Sequence, residues 1–198
     1  MQRKIVVFLL LFGSFSLVFS SFAYYNLSHP PAQQFIAWGV FSPSGTLSNY
    51  FSGAEANVTV GKTLNWHFAI ANEMGSIQYI RVVYRLGNNT SANPNATSPA
   101  GSVLQLGSSE IFVPNARTAL LNFTWSITSN SSQGRLVFIN LNINGQPISP
   151  SVGAVGGQRF RFLFELWTYD VASNSFEYGY KGPGSWIGSP LQVWFNFV

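Results

Sequence analysis

Large apolar side chains recur at every second position along much of this chain, and that period fits one regular structure, a strand with one buried face. Phe160, Phe162, Phe164 and Leu166 begin the longest such row. Leu64, Trp66, Phe68 and Ile70 alternate with Asn65, His67, Ala69 and Ala71, and Ile80, Val82, Tyr84 and Leu86 run against Arg81 and Arg85. Ala119, Leu121, Phe123, Trp125 and Ile127 do the same against Asn122, Thr124 and Ser126, and Leu191, Val193, Phe195 and Phe197 carry the pattern to the end of the chain. Clusters of Gly, Pro, Asn and Ser separate these rows, as turns separate strands. Gln34 to Phe41 reads as a first strand stopped by the turn Ser42-Pro43-Ser44-Gly45. Arg135 to Ile143 followed by Asn144-Gly145 reads as a hairpin whose type I′ turn needs positive φ at both central residues. Asn88 to Gly101, rich in Asn, Ser and Pro, is the longest loop. About eight to ten strands at this spacing, with no helical crossover, predict an all-β fold: an antiparallel β-sandwich of immunoglobulin-like type. Alternation also predicts that Phe162 and Phe164 face inward, and that Arg161→Ala costs far less than either Phe→Ala.

The amino terminus follows a different rule. After Arg3 and Lys4, an apolar segment begins at Ile5, passes Phe12 unbroken and continues to Phe22. Two readings stay open. Ser21-Phe22-Ala23 is a small-x-small site at which a signal peptide would be cut after Ala23. Ile5 to Tyr25 is also long enough to cross about 30 Å of hydrocarbon as one retained helix. Either way the positive end stays with the cytoplasm and the rest of the chain lies outside. The expected organisation is a signal peptide or membrane anchor over 1–25, a short linker over 26–33 and an extracytoplasmic β-sandwich over 34–198, on a single-pass cell-membrane protein or a secreted one.

Composition narrows the function. The chain has no Cys and two His, which removes thiolate nucleophiles, disulfides and Cys-type metal sites, so no cofactor or metal is expected. Its ten Lys and Arg are scattered, and the net charge of +4 reflects few acids rather than a basic patch, which argues against a nucleic-acid partner. No nucleophile elbow, phosphate loop or His-x-x-x-His pair is present, so an enzyme is not expected. His67 reads as an isolated residue on an outward face. Glu165, between Phe164 and Leu166, reads as one half of a structural ion pair with a cross-strand Arg81, Arg85 or Arg135.

Two blocks carry a family resemblance. The run Phe41-Ser42-Pro43-Ser44-Gly45 through Asn49-Tyr50, with Asn57-Val58-Thr59-Val60-Gly61 and Ile70-Ala71-Asn72-Glu73, forms the first. Phe164-Glu165-Leu166-Trp167-Thr168-Tyr169-Asp170, Phe176-Glu177-Tyr178 and Val193-Trp194-Phe195-Asn196 form the second. Together they resemble an archaeal and bacterial membrane-protein family known as domain of unknown function sixteen-sixteen. The resemblance implies an extracytoplasmic β-sandwich tethered by membrane segments and supplies no activity; an archaeal source is the separate expectation.

Seven Asn-x-Ser/Thr sequons occur where 17 Asn and 34 Ser plus Thr in 198 residues would give about three by chance. Asn57, Asn88, Asn95, Asn122 and Asn130 are the glycosylation candidates, with Asn88, Asn95 and Asn130 expected in loops. Trp167, Tyr169, Trp186 and Trp194 are the expected contact surface, since Trp and Tyr dominate interface energetics. The resulting expectation is a non-enzymatic, membrane-anchored cell-surface glycoprotein. It would act as a structural or accessory subunit through contacts with membrane or cell-surface proteins, its own copies included. The alternatives are a carbohydrate-binding or adhesive module, with glycans as partners, and a subunit of an extracellular filament joined by β-strand exchange.

Overall fold

The computed structural model describes residues 15–21, 24–25, 33–51, 53 and 55–198, and the chain separates into one unit ending at Gln33 and another beginning at Gln34. In the first unit residues 15–21 and 24–25 are helical. No helix among the described residues is long and apolar enough to cross a membrane. Ile5, Phe12 and Phe22 of the expected anchor lie outside the described residues.

The second unit is built from strands. They are β1 (Ile36–Phe41), β2 (Asn57–Val58), β3 (Thr63–Asn72), β4 (Gln78–Asn88), β5 (Gln105–Val113), β6 (Arg117–Gln133) and β7 (Leu136–Ile143). After these come β8 (Gln146–Ile148), β9 (Gly153–Val155), β10 (Phe160–Asp170), β11 (Ser175–Tyr178), β12 (Tyr180–Lys181), β13 (Trp186–Ile187) and β14 (Leu191–Phe197). One sheet runs β1-β3-β6-β7-β8, with β9 also on β7; the second runs β2-β14-β10-β4-β5, with β11 also on β10; β12 and β13 form a ribbon of their own. All pairs are antiparallel except β2 with β14. The result is sandwich-like: a mostly β unit whose two main sheets share one core.

The inward rows anticipated from alternation meet in that core. Trp66 of β3 packs edge-on against Phe162 and Phe164 of β10, at centroid distances of 5.9 and 6.4 Å. Phe123 and Trp125 of β6 meet Phe162 at 5.5 and 4.8 Å. Ring edges against ring faces are the preferred arrangement of aromatic quadrupoles, so this contact adds to the burial term. The Asn144-Gly145 turn has φ of 50° and 84° and joins Ile143 to Gln146, as the type I′ reading requires.

Three features depart from the sequence reading. Gln105–Val113 is a strand that the apolar rows do not announce, since Gly107, Ser108 and Ser109 interrupt any alternation; among the described residues it pairs with β4 alone and sits at a sheet edge, where one face needs little apolar cover. β6 runs on to Gln133, and residues 128–133 are exposed on both faces while 129–133 pair with β7 past an irregularity at Thr128, so that part of the hairpin shows no alternation. Asn130 is therefore on a strand and not in a loop, and Asn88 is the last residue of β4.

The third departure is the largest. β4 and β10 are buried on both faces, because residues 89–104 fold over the outer face of the second sheet and form a small apolar cluster of Ala100, Val103 and Leu163. Arg161, expected to be outward and dispensable, is 2% exposed.

Candidate functional site

The outer face of the second sheet has two halves, one sealed and one open. Residues 89–104 seal the first. Glu165, fully buried, accepts from Arg85 Nε at 3.1 Å and from the backbone N–H of Ala100 at 2.5 Å. Arg85 also donates to the Val103 carbonyl at 2.9 Å. This is the cross-strand ion pair anticipated for Glu165, with Arg85 as the partner among the three considered. Arg161 grips the same segment with neutral acceptors: the Ser91 carbonyl, the Ala92 carbonyl at 3.0 Å, the Asn93 side-chain oxygen, and Gln192 of β14 at 3.0 Å. Its guanidinium lies 4.9 Å from the ring of Trp194, its cross-strand neighbour. Five donors in a fixed fork let one Arg hold several carbonyls at once, which a Lys would not.

Tyr178 completes the seal by donating its hydroxyl to the Asn95 carbonyl at 2.8 Å, while its ring meets Trp167 edge-on. Gly179 follows with φ of 88°, and a Cβ there would stand 2.1 Å from the Ile187 carbonyl oxygen, so no other residue fits. Burial first, and the Glu165 charge second, push the Tyr178 hydroxyl up to about 12 from 10.0. The unfolded chain releases this proton near pH 10 and the folded chain holds it to about pH 12, so stability should fall across that window, by up to about 2–3 kcal/mol. Tyr178→Phe should flatten that fall in denaturant titrations run from neutral to strongly alkaline pH. An unchanged profile in the variant would contradict the assignment.

The open half carries aromatics. Tyr79 of β4 stacks on Phe112 of β5 at 4.3 Å and meets Phe176 of β11 at 5.0 Å and Tyr169 of β10 at 5.9 Å. Arg81 covers the Phe176 ring at 3.8 Å and pairs with Glu110 at 2.7 Å. The Tyr79 hydroxyl and then Arg81 donate to Glu110 and hold its carboxyl below the ordinary range; the same bond raises Tyr79. Phe112 and Ile77 are each 61% exposed. An open groove of about 780 Å³ continues from this cluster, lined by Gln34, Met74, Gln78, Asp170, Lys181 and Trp186 among others.

The four expected contact residues are divided between the halves. Tyr169 and Trp186 belong to the open half and its groove. Trp167 is half-buried, with its indole N–H 3.4 Å from Glu165, and Trp194 is 41% exposed above Arg161. Tyr79, Phe112, Phe176 and Ile77 were not anticipated. Phe112 was hidden because β5 does not read as a strand; Phe176 was visible as a cross-strand neighbour of Tyr169 once the Asp170 to Ser175 turn was recognised. His67 stacks on Phe41 at 5.6 Å.

Among the sequons, Asn89, Asn95, Asn122 and Asn130 are exposed, Asn57 and Asn88 are half-buried, and Asn26 lies outside the described residues. The chain matches no protein-family model, and comparison with curated proteins finds no match.

Proposed function

We propose that this chain is a non-enzymatic, extracytoplasmic protein of immunoglobulin-like sandwich type, held to the outer face of a membrane by its amino-terminal segment, and that it serves as a structural or accessory subunit by binding another protein. The resemblance to domain of unknown function sixteen-sixteen, with its tethered outer domains, supports this reading. The observation that carries it is the cluster of Tyr79, Phe112, Tyr169 and Phe176, flanked by exposed Ile77 and Val171. A protein partner fits better than a sugar here. Phe112, Ile77 and Val171 offer no hydrogen bonds to hydroxyls, whereas an apolar centre edged by Arg81 and Glu110 has the composition of a protein interface. The buried carboxylate, Glu165, is fully engaged by Arg85 and Ala100, which supports a structural rather than a catalytic role for it.

Phe112→Ala tests the reading. Its side chain is mostly exposed, so the fold should survive, with a stability change within about 0.5 kcal/mol. A protein partner recovered with the native chain from detergent-solubilised membranes should fall at least about tenfold, as for the loss of an interface hot spot. Recovery should change little between low and high salt, because few charges are screened. Undiminished recovery with the variant rejects this surface. Loss of polysaccharide binding instead, with protein partners retained, supports the adhesive alternative.

A further inference from the structure

Two sequons stand on the sealing segment and its threshold with the same local turn, and they differ in where the amide nitrogen goes. At Asn88 the side-chain oxygen accepts from Thr90 N at 2.9 Å, Thr90 Oγ1 at 2.8 Å and Ser91 N at 3.1 Å. Its Nδ2 donates inward to the Gly153 carbonyl of β9 at 2.8 Å and so ties one sheet to the other. At Asn95 the oxygen likewise accepts from Thr97 N at 2.9 Å, Thr97 Oγ1 at 3.0 Å and Ser98 N at 2.9 Å. Asn95, Ala96 and Thr97 are all exposed, and none is on a strand. Asn95 Nδ2 donates to no acceptor among the described residues, and the backbone around it is fixed by Tyr178 on its carbonyl and by its own N–H on Ser98 O.

The remaining described sequons are blocked by the fold. Val58 and Phe123, the middle residues after Asn57 and Asn122, are fully buried, so those tripeptides cannot be lifted into another active site without unfolding the sheet. Asn57 Nδ2 is also held by Glu55 at 2.5 Å. The hydroxyl that Asn89 needs, Ser91 Oγ, is occupied by Asn88. Asn130, Ser131 and Ser132 are exposed but their backbone pairs with Ile139, Phe138 and Val137 of β7.

We propose that Asn95 is an N-linked glycan site, modified on the folded domain, and that Asn88 is left bare. This rests on the extracytoplasmic reading, because the donor is a membrane-lipid-linked oligosaccharide presented outside. Three donors on Asn95 Oδ1 draw electron density to the oxygen and favour loss of a proton from Nδ2 to a base of the transferase. Nδ2 then forms a bond to C1 of the sugar, and the C1–O bond to the lipid phosphate breaks. The lipid phosphate leaves with the electron pair, and nothing is oxidised or reduced. The attached glycan would stand on the sealed half of the outer face, on residues 89–104, while the aromatic half is built from β4, β5, β10 and β11.

Peptide mass spectrometry of the protein from its native membranes decides it, with fragmentation that separates Asn88, Asn89 and Asn95 within the peptide between Arg85 and Arg117. Intact cells are treated beforehand with a membrane-impermeant amine reagent, which reads exposure of Lys62 and Lys181. The expected result is labelled lysines, one glycan on Asn95, none on Asn88, loss of that glycan in Thr97→Ala and its retention in Thr97→Ser. Labelled lysines with Asn95 bare overturn the site and leave the extracytoplasmic reading standing. A glycan on Asn57 or Asn122 shows modification before folding and overturns the geometric argument. Unlabelled lysines with no glycan overturn both.

Discussion

Glu165→Ala is expected to cost about 3–5 kcal/mol of folding free energy, the range seen when one partner of a buried pair is removed. The loss has two parts. Arg85 is left charged and 8% exposed with only the Val103 carbonyl to satisfy it, and the Ala100 N–H loses its acceptor. Because both contacts reach across to residues 89–104, that segment should loosen, and its amides should exchange faster with solvent than those of β4 and β10. The double variant Arg85→Met with Glu165→Leu should recover much of the loss, since an apolar pair of similar volume leaves no charge buried alone. A loss below about 1 kcal/mol for Glu165→Ala, typical of exposed pairs, would mean that water reaches this site and that the seal is not structural.

Phe162→Ala should be of similar size, about 3–5 kcal/mol, because the ring is fully buried between the two sheets and its removal leaves a cavity that Trp66, Phe123, Trp125 and Phe195 cannot all collapse to fill. Its neighbour Arg161 is where the alternating pattern misleads. The position faces outward, as the pattern says, yet Arg161→Ala would strip the donors from the Ser91 and Ala92 carbonyls and from Asn93, and should loosen residues 89–104 as Glu165→Ala does. Urea midpoints for the two variants check this directly. A neutral Arg161→Ala beside a damaging Phe162→Ala would restore the simpler expectation that outward positions of β10 are dispensable.

The inward rows of β3, β4, β6, β10 and β14 were legible because period-2 alternation is a local property, fixed by the pleat. The turns at Ser42-Pro43-Ser44-Gly45 and Asn144-Gly145 were legible for the same reason: positive φ at Gly45, Asn144 and Gly145 is a local demand. What covers the second face of β10 was not local. Residues 89–104 carry the composition of a solvent loop, and what draws them down onto the sheet lies on other elements: the charges of β4 and β10, Leu163 against Ala100 and Val103, and the Tyr178 hydroxyl. One hint was present, since an Arg and a Glu at Arg161 and Glu165 inside an otherwise apolar strand need partners wherever they point. The aromatic cluster was half legible. Tyr169 and Trp186 were named from residue type alone, but Tyr79 and Phe112 come together through the pairing of β4 with β5, which no local pattern announces.

A photoreactive phenylalanine placed at position 112 in the native host, with intact cells then irradiated, reads whether another protein binds the open aromatic half of the second sheet. The expected result is a covalent adduct to one discrete protein, formed at position 112 and not when the same group replaces Leu104 on the sealed side, and lost when Tyr169 is changed to Ala in the same chain. No protein adduct at position 112, or equal adducts from both positions, would contradict it.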